Sequence, residues 1–294
     1  MDSPIPDDRS QLRREGVIQV SRIDHTCSTR WALDHGFVDA DCPMDATWCI
    51  TYKRDAVMRR REPNPTATSL RLWKKKPLEL YYAPWDWMNK DARVILVGIT
   101  GGAQQAKNAL QEAKRCLEAG MKTEEVLRRA DAVGSFSGQM RERLVTGLNR
   151  IGLPKTLGIQ TAGDLFAEKH HRLLGTASAI GFPMFITKEL ADGSVTKENY
   201  NGQQGHPLLA DSTLCSFVRA YLGAKVDMAP NAVVLPLGKV ATAAVQWLIC
   251  ADLLDAGRCV HGFPHPSPQN GHYTRLLEER ESNLKRHLRS ALRG

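Results

Sequence analysis

At 294 residues the chain is long enough for one large core or for a domain with an extension, and its 42% hydrophobic and 24% charged residues are those of an ordinary globular protein. No run reaches the roughly 18 to 20 apolar residues of a membrane helix, and the opening MDSPIPDDRSQLRRE lacks the apolar core of a secretory signal, so a cytoplasmic protein with no membrane partner is expected. A formal net charge of +8 favours a polyanionic partner such as nucleic acid, whose phosphates draw on Lys and Arg.

The first ninety residues differ from the rest. They carry five of the six tryptophans (Trp31, Trp48, Trp73, Trp85, Trp87), a basic run at Arg59-Arg60-Arg61, a PNPT break and Lys74-Lys75-Lys76. Helical periodicity is poor, so residues 1–90 read as an irregular extension packed on a domain of residues 91–294. The seven cysteines are scattered and form no C-x-x-C, which suits reduced thiols. His25, Cys27, His35, Cys42 and Cys49 match no structural zinc spacing, so no metal is expected.

From residue 93 strands alternate with helices. RVILVGI is a continuous apolar run, as expected of a strand buried on both faces. It passes through TGG into a helix over 103–119, with Ala106, Ala109, Leu110, Ala113 and Leu117 on one face and Gly120 closing it. Helices over 123–132 and 138–150 follow, split by VGSFSG and ended by IGLP. ASAIGFPMFI (177–186) reads as an interrupted strand, 207–222 as a helix, and AVVLPLG (232–238) as a strand leading into another helix. RCVHGF (258–263) reads as a short fourth strand before HPSPQNGH. A basic amphipathic helix over 272–292 closes the chain, with Leu276, Leu277, Leu284, Leu288 and Leu292 inward. The alternation predicts an α/β fold, a three-layer α/β/α sandwich around a mostly parallel four-stranded sheet. Ligands of such sheets sit beyond the carboxyl ends of the strands. Two loops with unusual residues leave those ends, GITGG and HPSPQNGH.

VGITGGAQQ is neither a Walker A loop nor a G-x-G-x-x-G fingerprint. Together with a distant HPSP it becomes informative. Over roughly residues 93–294 the chain resembles the uracil-DNA glycosylase superfamily in four segments, in order. VILVGITGG resembles the first strand and catalytic loop, and FSGQMRERLVTGLNRIGL the segment whose Phe stacks on the extruded base. VVLPLGKVA resembles the third-strand pattern, and HPSP the minor-groove loop with its catalytic His.

The resemblance implies a monofunctional DNA glycosylase that flips a base from single- or double-stranded DNA and hydrolyses its N-glycosidic bond. His265 is then the catalytic residue that stabilises the leaving base, and Thr100 occupies the catalytic position of the first loop. Ile99, Gly101, Gly102, Phe136 and Ser178 line the base pocket, with the amides near Gly101 and Gly102 open to base or water. Pro266, Ser267, Pro268, Gln269 and Asn270 form the DNA-binding loop, while His261 and His272 are structural or surface residues. No cofactor is implied, and a monomer is expected.

Three departures stand out. Thr100 replaces the Asp, Asn or Glu that orients water in the family, which leaves Gln104, Asp86 and Asp131 as candidates for that work. TASAIGFPMF lacks the Asn that reads uracil, and Gln269 replaces an apolar wedge. Small side chains where base-reading ones belong point to a modified base, such as the glucosylated hydroxymethylcytosine of phage DNA in antiviral defence. A repair enzyme for uracil or another deaminated base, a catalytically inactive DNA-binding member of the fold and a small-molecule enzyme on an α/β scaffold are the alternatives.

Overall fold

The computed structural model describes residues 64–292, Gln204 excepted, together with Arg54 and Val57. Trp31, Trp48, the Arg59-Arg60-Arg61 run and the His25–Cys49 candidates lie outside the described residues. The fold is mixed α/β with two sheets. The parallel sheet has the order β4-β3-β7, from β3 (Val94–Gly98), β4 (Leu174–Ser178) and β7 (Val233–Pro236). Every residue of β3 is buried, which explains its unbroken apolar sequence. Ile95 and Val97 face one core, and Val94 and Leu96 face the other. The first core receives α1 (Ala103–Glu118) and α2 (Thr123–Gly134), and the second α3 (Gln139–Arg150) and α4 (Leu153–Leu157). Where a fourth strand was expected, RCVHGF forms a single parallel bridge, Cys259 to Val234. Proline and glycine-rich sequence follows at once, and pairing goes no further.

The segment before residue 90 is more regular than its sequence suggests. It supplies β1 (Arg71–Lys75) and β2 (Leu78–Tyr81), which join β5 (Met184–Glu189) and β6 (Val195–Asn199) in an antiparallel sheet of order β1-β2-β5-β6. ASAIGFPMFI is accordingly split between two sheets. The chain leaves β4 at Gly181, whose φ of +87° is open to glycine, and a Cβ there would lie 2.6 Å from the Tyr221 ring. It then enters β5 after Pro183.

The expected helix over 207–222 begins later, as α5 (Ser212–Val218), capped by Asp211 on the amides of Thr213 and Leu214. A widened π turn, Arg219–Gly223, leads to α6 (Ala224–Met228). Two further helices, α7 (Lys239–Cys250) and α8 (Tyr273–Ala291), match their amphipathic patterns, α7 against the first core and α8 against the second. No helix among the described residues is long and apolar enough to cross a membrane.

Candidate functional site

A cavity of about 680 Å³ opens at the carboxyl ends of β3 and β4, within the roughly 300 to 1,000 Å³ of ordinary ligand sites. The loop after β3 borders it through Ile99, Thr100, Gly101 and Gly102. Phe136, Ser178, His265, Ser267, Pro268 and Gln269 also border it, so residues up to 170 positions apart in sequence meet at one opening. Pro266 and Asn270 do not. Pro266 is buried, and Asn270 turns its amide back to donate to the His265 carbonyl at 2.9 Å. Asn270 therefore braces the loop and does not reach outward from its tip.

The His265 loop is held from three sides. Gly238, at φ +88° after β7, donates its N–H to the Phe263 carbonyl, and a Cβ there would stand 2.7 Å from His265 Cβ. Only glycine lets the loop come this close. Arg143, on α3, donates from both terminal nitrogens to the carbonyls of Ser267 and Asn270, each at 2.8 Å. Its guanidinium lies 4.6 Å from the Tyr273 ring centre, and the Tyr273 hydroxyl donates to the Arg143 carbonyl. Within the loop, Ser267 N–H donates to His265 Nδ1 at 3.3 Å. That bond keeps the proton on Nε2, the nitrogen with no protein partner among the described residues. Burial, with the Arg143 charge nearby, lowers the His265 pKa below the ordinary imidazole value, so the ring is neutral at pH 7.

The second loop carries Phe136. Its φ of +54° is a left-handed conformation that costs a non-glycine residue about 1–2 kcal/mol, and the ring lies against Gly98, where a Cβ would be 3.3 Å from the ring edge. Arg141 holds this strained turn. One of its terminal nitrogens donates to the carbonyls of Ala132, Val133 and Ser135, and its charge sits 4.5 Å over the Phe166 ring. Two arginines on α3, two residues apart, thus brace the two loops that deliver Phe136 and His265.

Buried charge borders the cavity at Asp131, which is 5% exposed. Thr176 Oγ1 donates to its Oδ2 at 2.6 Å and Ser135 Oγ to its Oδ1 at 3.0 Å. Burial raises the Asp131 pKa, against the charge of Lys225 and the two hydroxyls. Lys225, from α6, gives its three ammonium donors to the carbonyls of Trp85, Trp87 and Thr176 at 2.8 to 3.1 Å. It pins the segment before residue 90 to the parallel sheet. Asp86 does not border the cavity; it accepts from Tyr82 and Arg54. Gln104 does border it, with its amide on Asn108.

The first loop departs from expectation in its free groups. The Thr100 hydroxyl donates to the Phe182 carbonyl at 2.7 Å and accepts from Met184 N–H at 3.0 Å, so its only proton is spent on the backbone leading into β5. Gly102 N–H donates to Gln105 Oε1, and Ala103 N–H to Asn199 Oδ1. The amide of Gly102 is therefore occupied, and among the described residues only that of Gly101 in this pair lacks an acceptor. Trp85 covers this loop so closely that a Cβ on Gly101 would lie 2.0 Å from its ring.

The chain is 34% identical over 223 residues to YoxB of Bacillus subtilis (strain 168), described as an uncharacterized protein, and the match covers 75% of this chain and 82% of YoxB. The chain belongs to the YoxB family. No family model matches it. The stretch shared with YoxB is longer than the 204 residues from 91 to the C-terminus, so it takes in part of the segment ahead of residue 91. This agrees with β1 and β2 being built into the fold.

Several residues at this candidate site had no visible signal in the sequence. Glu198, Asn199 and Asn201 reach the cavity from β6 and the residues after it, an element with no apolar pattern because all five of its residues are exposed. Arg141 and Arg143 read as the ordinary charged face of a helix. Lys225 is one basic residue among forty.

Proposed function

We propose that this protein is a monofunctional DNA glycosylase, which flips a base out of DNA and hydrolyses its N-glycosidic bond to leave an abasic site. The observation that carries this reading is the meeting of the G-I-T-G-G loop, Phe136 and His265 around one cavity at the strand ends. On this reading the β4-β3-β7 sheet, extended by the Cys259 bridge, is the four-stranded centre of a three-layer sandwich. The extruded base stacks on Phe136. As the bond to the sugar breaks, negative charge grows on the base, and the His265 Nε2–H donates to it. The Arg143 fork and the Ser267 amide fix that imidazole before the reaction starts, so little reorganisation is needed. The loop around Ser267, Pro268 and Gln269 meets the DNA backbone and minor groove, which suits the net charge of +8.

The substrate on this reading is a modified base, with glucosylated hydroxymethylcytosine of phage DNA as the leading example and antiviral defence as the role. The support is a cavity of about 680 Å³ with glycines and Ser178 on its wall. A second reading, a non-catalytic DNA binder, draws on Thr100, whose hydroxyl is spent on Phe182.

A panel of duplex and single-stranded oligonucleotides carrying uracil, hypoxanthine, hydroxymethylcytosine and its glucosylated form decides between them, with alkali to cut abasic sites. Wild-type protein is expected to release a modified cytosine, and His265→Ala to slow that release by about 100-fold or more while binding DNA as before. Salt-sensitive binding with no base release from any substrate would favour the binder. Release of uracil alone would remove the modified-base assignment.

A further inference from the structure

We infer that Asp131 reads the edge of the extruded base and selects a pyrimidine that carries a 4-amino group, an assignment that rests on the glycosylase reading above. β4, the strand on which the resemblance expects a base-reading Asn, offers Thr176, Ala177 and Ser178 instead. Thr176, which also borders the cavity, donates its hydroxyl to one Asp131 oxygen at 2.6 Å, and Ser135 donates to the other at 3.0 Å. A carboxylate offers about four lone-pair sites. Two are occupied by these hydroxyls, which leaves two on a residue that borders the cavity.

Among the described residues, no other acid competes for this role at the cavity wall. Glu198 also borders the cavity, but it is exposed and paired with Lys188 at 2.6 Å. Lys225 has no ammonium donor left for a ligand, since all three go to backbone carbonyls. Its charge acts with the two hydroxyls against the burial that raises the Asp131 pKa.

A group that meets Asp131 must therefore bring donors. The exocyclic amine of a cytosine does so, whereas the 4-oxo group of a uracil turns an acceptor toward the carboxylate and is repelled. The geometry also links reading to stacking. Ser135 directly precedes Phe136, so the Ser135–Asp131 bond sets the carboxylate relative to the ring on which the base stacks.

The test uses full-length protein and duplexes that differ only at the 4-position: 5-hydroxymethylcytosine against 5-hydroxymethyluracil, each plain and glucosylated. Wild type is expected to favour the 4-amino member by about tenfold or more, and Asp131→Asn, whose amide can donate to a 4-oxo group, to shrink that ratio by about tenfold. Equal slowing on both members with an unchanged ratio would overturn the inference, because it would make Asp131 a general electrostatic group. Thermal unfolding checks that the variant folds. If it does not, wild type is assayed on the matching 2-pyrimidinone, which has hydrogen at the 4-position. A loss of about tenfold relative to the cytosine supports the inference, and equal release overturns it. Wild type that releases no base at all would remove the glycosylase reading, and this inference with it.

Discussion

Thr100 and His265 face the same cavity, and each is limited by the bonds it already makes. Thr100 ties the loop after β3 to the backbone entering β5 through two good hydrogen bonds. Thr100→Val is expected to cost about 1–3 kcal/mol in urea unfolding, since it strands the Met184 amide and the Phe182 carbonyl. Thr100→Ser keeps the hydroxyl and should stay within about 1 kcal/mol of wild type, with base release preserved. Loss of release in the serine variant at full stability would give the threonine methyl a role in catalysis. His265 makes a prediction in pH. Its folded pKa lies below the 6.5 of free imidazole, so the unfolded chain takes up a proton first, and the native state loses stability as pH falls below about 6.5. Protonation of the folded ring would also set an Nδ1–H against the Ser267 N–H. The acid limb of base release should therefore have its midpoint below 6.5, and His265→Gln should abolish that limb in a pH–rate profile.

At the scale of elements, α3 and the loop after β3 set the site. Arg143 spans the His265 loop from Ser267 to Asn270 with a fork that lysine cannot reproduce. Arg143→Lys is expected to keep the fold and DNA binding but to slow base release by about tenfold or more, through loss of preorganisation. An unchanged rate would show that Gly238 and the prolines suffice to place the imidazole. The β3 loop is restricted by packing. Gly101→Ala would drive a Cβ to 2.0 Å from the Trp85 ring. The strain should lower stability by about 2 kcal/mol or more, read as a drop in thermal midpoint.

At the scale of the whole molecule, the antiparallel sheet is tied together by one buried acid. Glu79 on β2 is buried and accepts from the Tyr81 hydroxyl, Lys74 of β1 and Lys197 of β6, so one carboxylate ties three strands. Burial raises its pKa, yet these three partners outweigh that and hold it at about 2. The stabilisation is complete above about 4.5 and is lost as pH falls toward about 2. Glu79→Gln should cost about 2 kcal/mol at neutral pH, a value discounted for the part-exposed lysines. It should also flatten the acid arm of a stability–pH curve. A variant with an unaltered acid arm would place the decisive carboxylates elsewhere.

What could be read from the chain alone was what local pattern encodes. β3 was legible because a strand buried on both faces must be apolar throughout, and α1, α3 and α8 because one buried face repeats at helical spacing. His265 stood out because prolines and glycine flank it after a predicted strand, and Phe136 only through the family resemblance. Three things were settled only in three dimensions. ASAIGFPMFI is one run in sequence but two strands in different sheets, because Gly181 turns against Tyr221. β6 carries no apolar alternation, since neither face is buried, yet it and the residues that follow bring Glu198, Asn199 and Asn201 to the cavity. Asp131 was one weakly supported acid among others. Its place at the cavity wall depends on Thr176, 45 residues away, and on Lys225, and no local pattern records a contact between distant side chains. The sequence determined those elements that bury one face or both, through the pattern that burial imposes. The tertiary structure decided which polar groups are spent on the backbone and which remain free to meet a ligand, because hydrogen-bond partners are chosen by proximity in space.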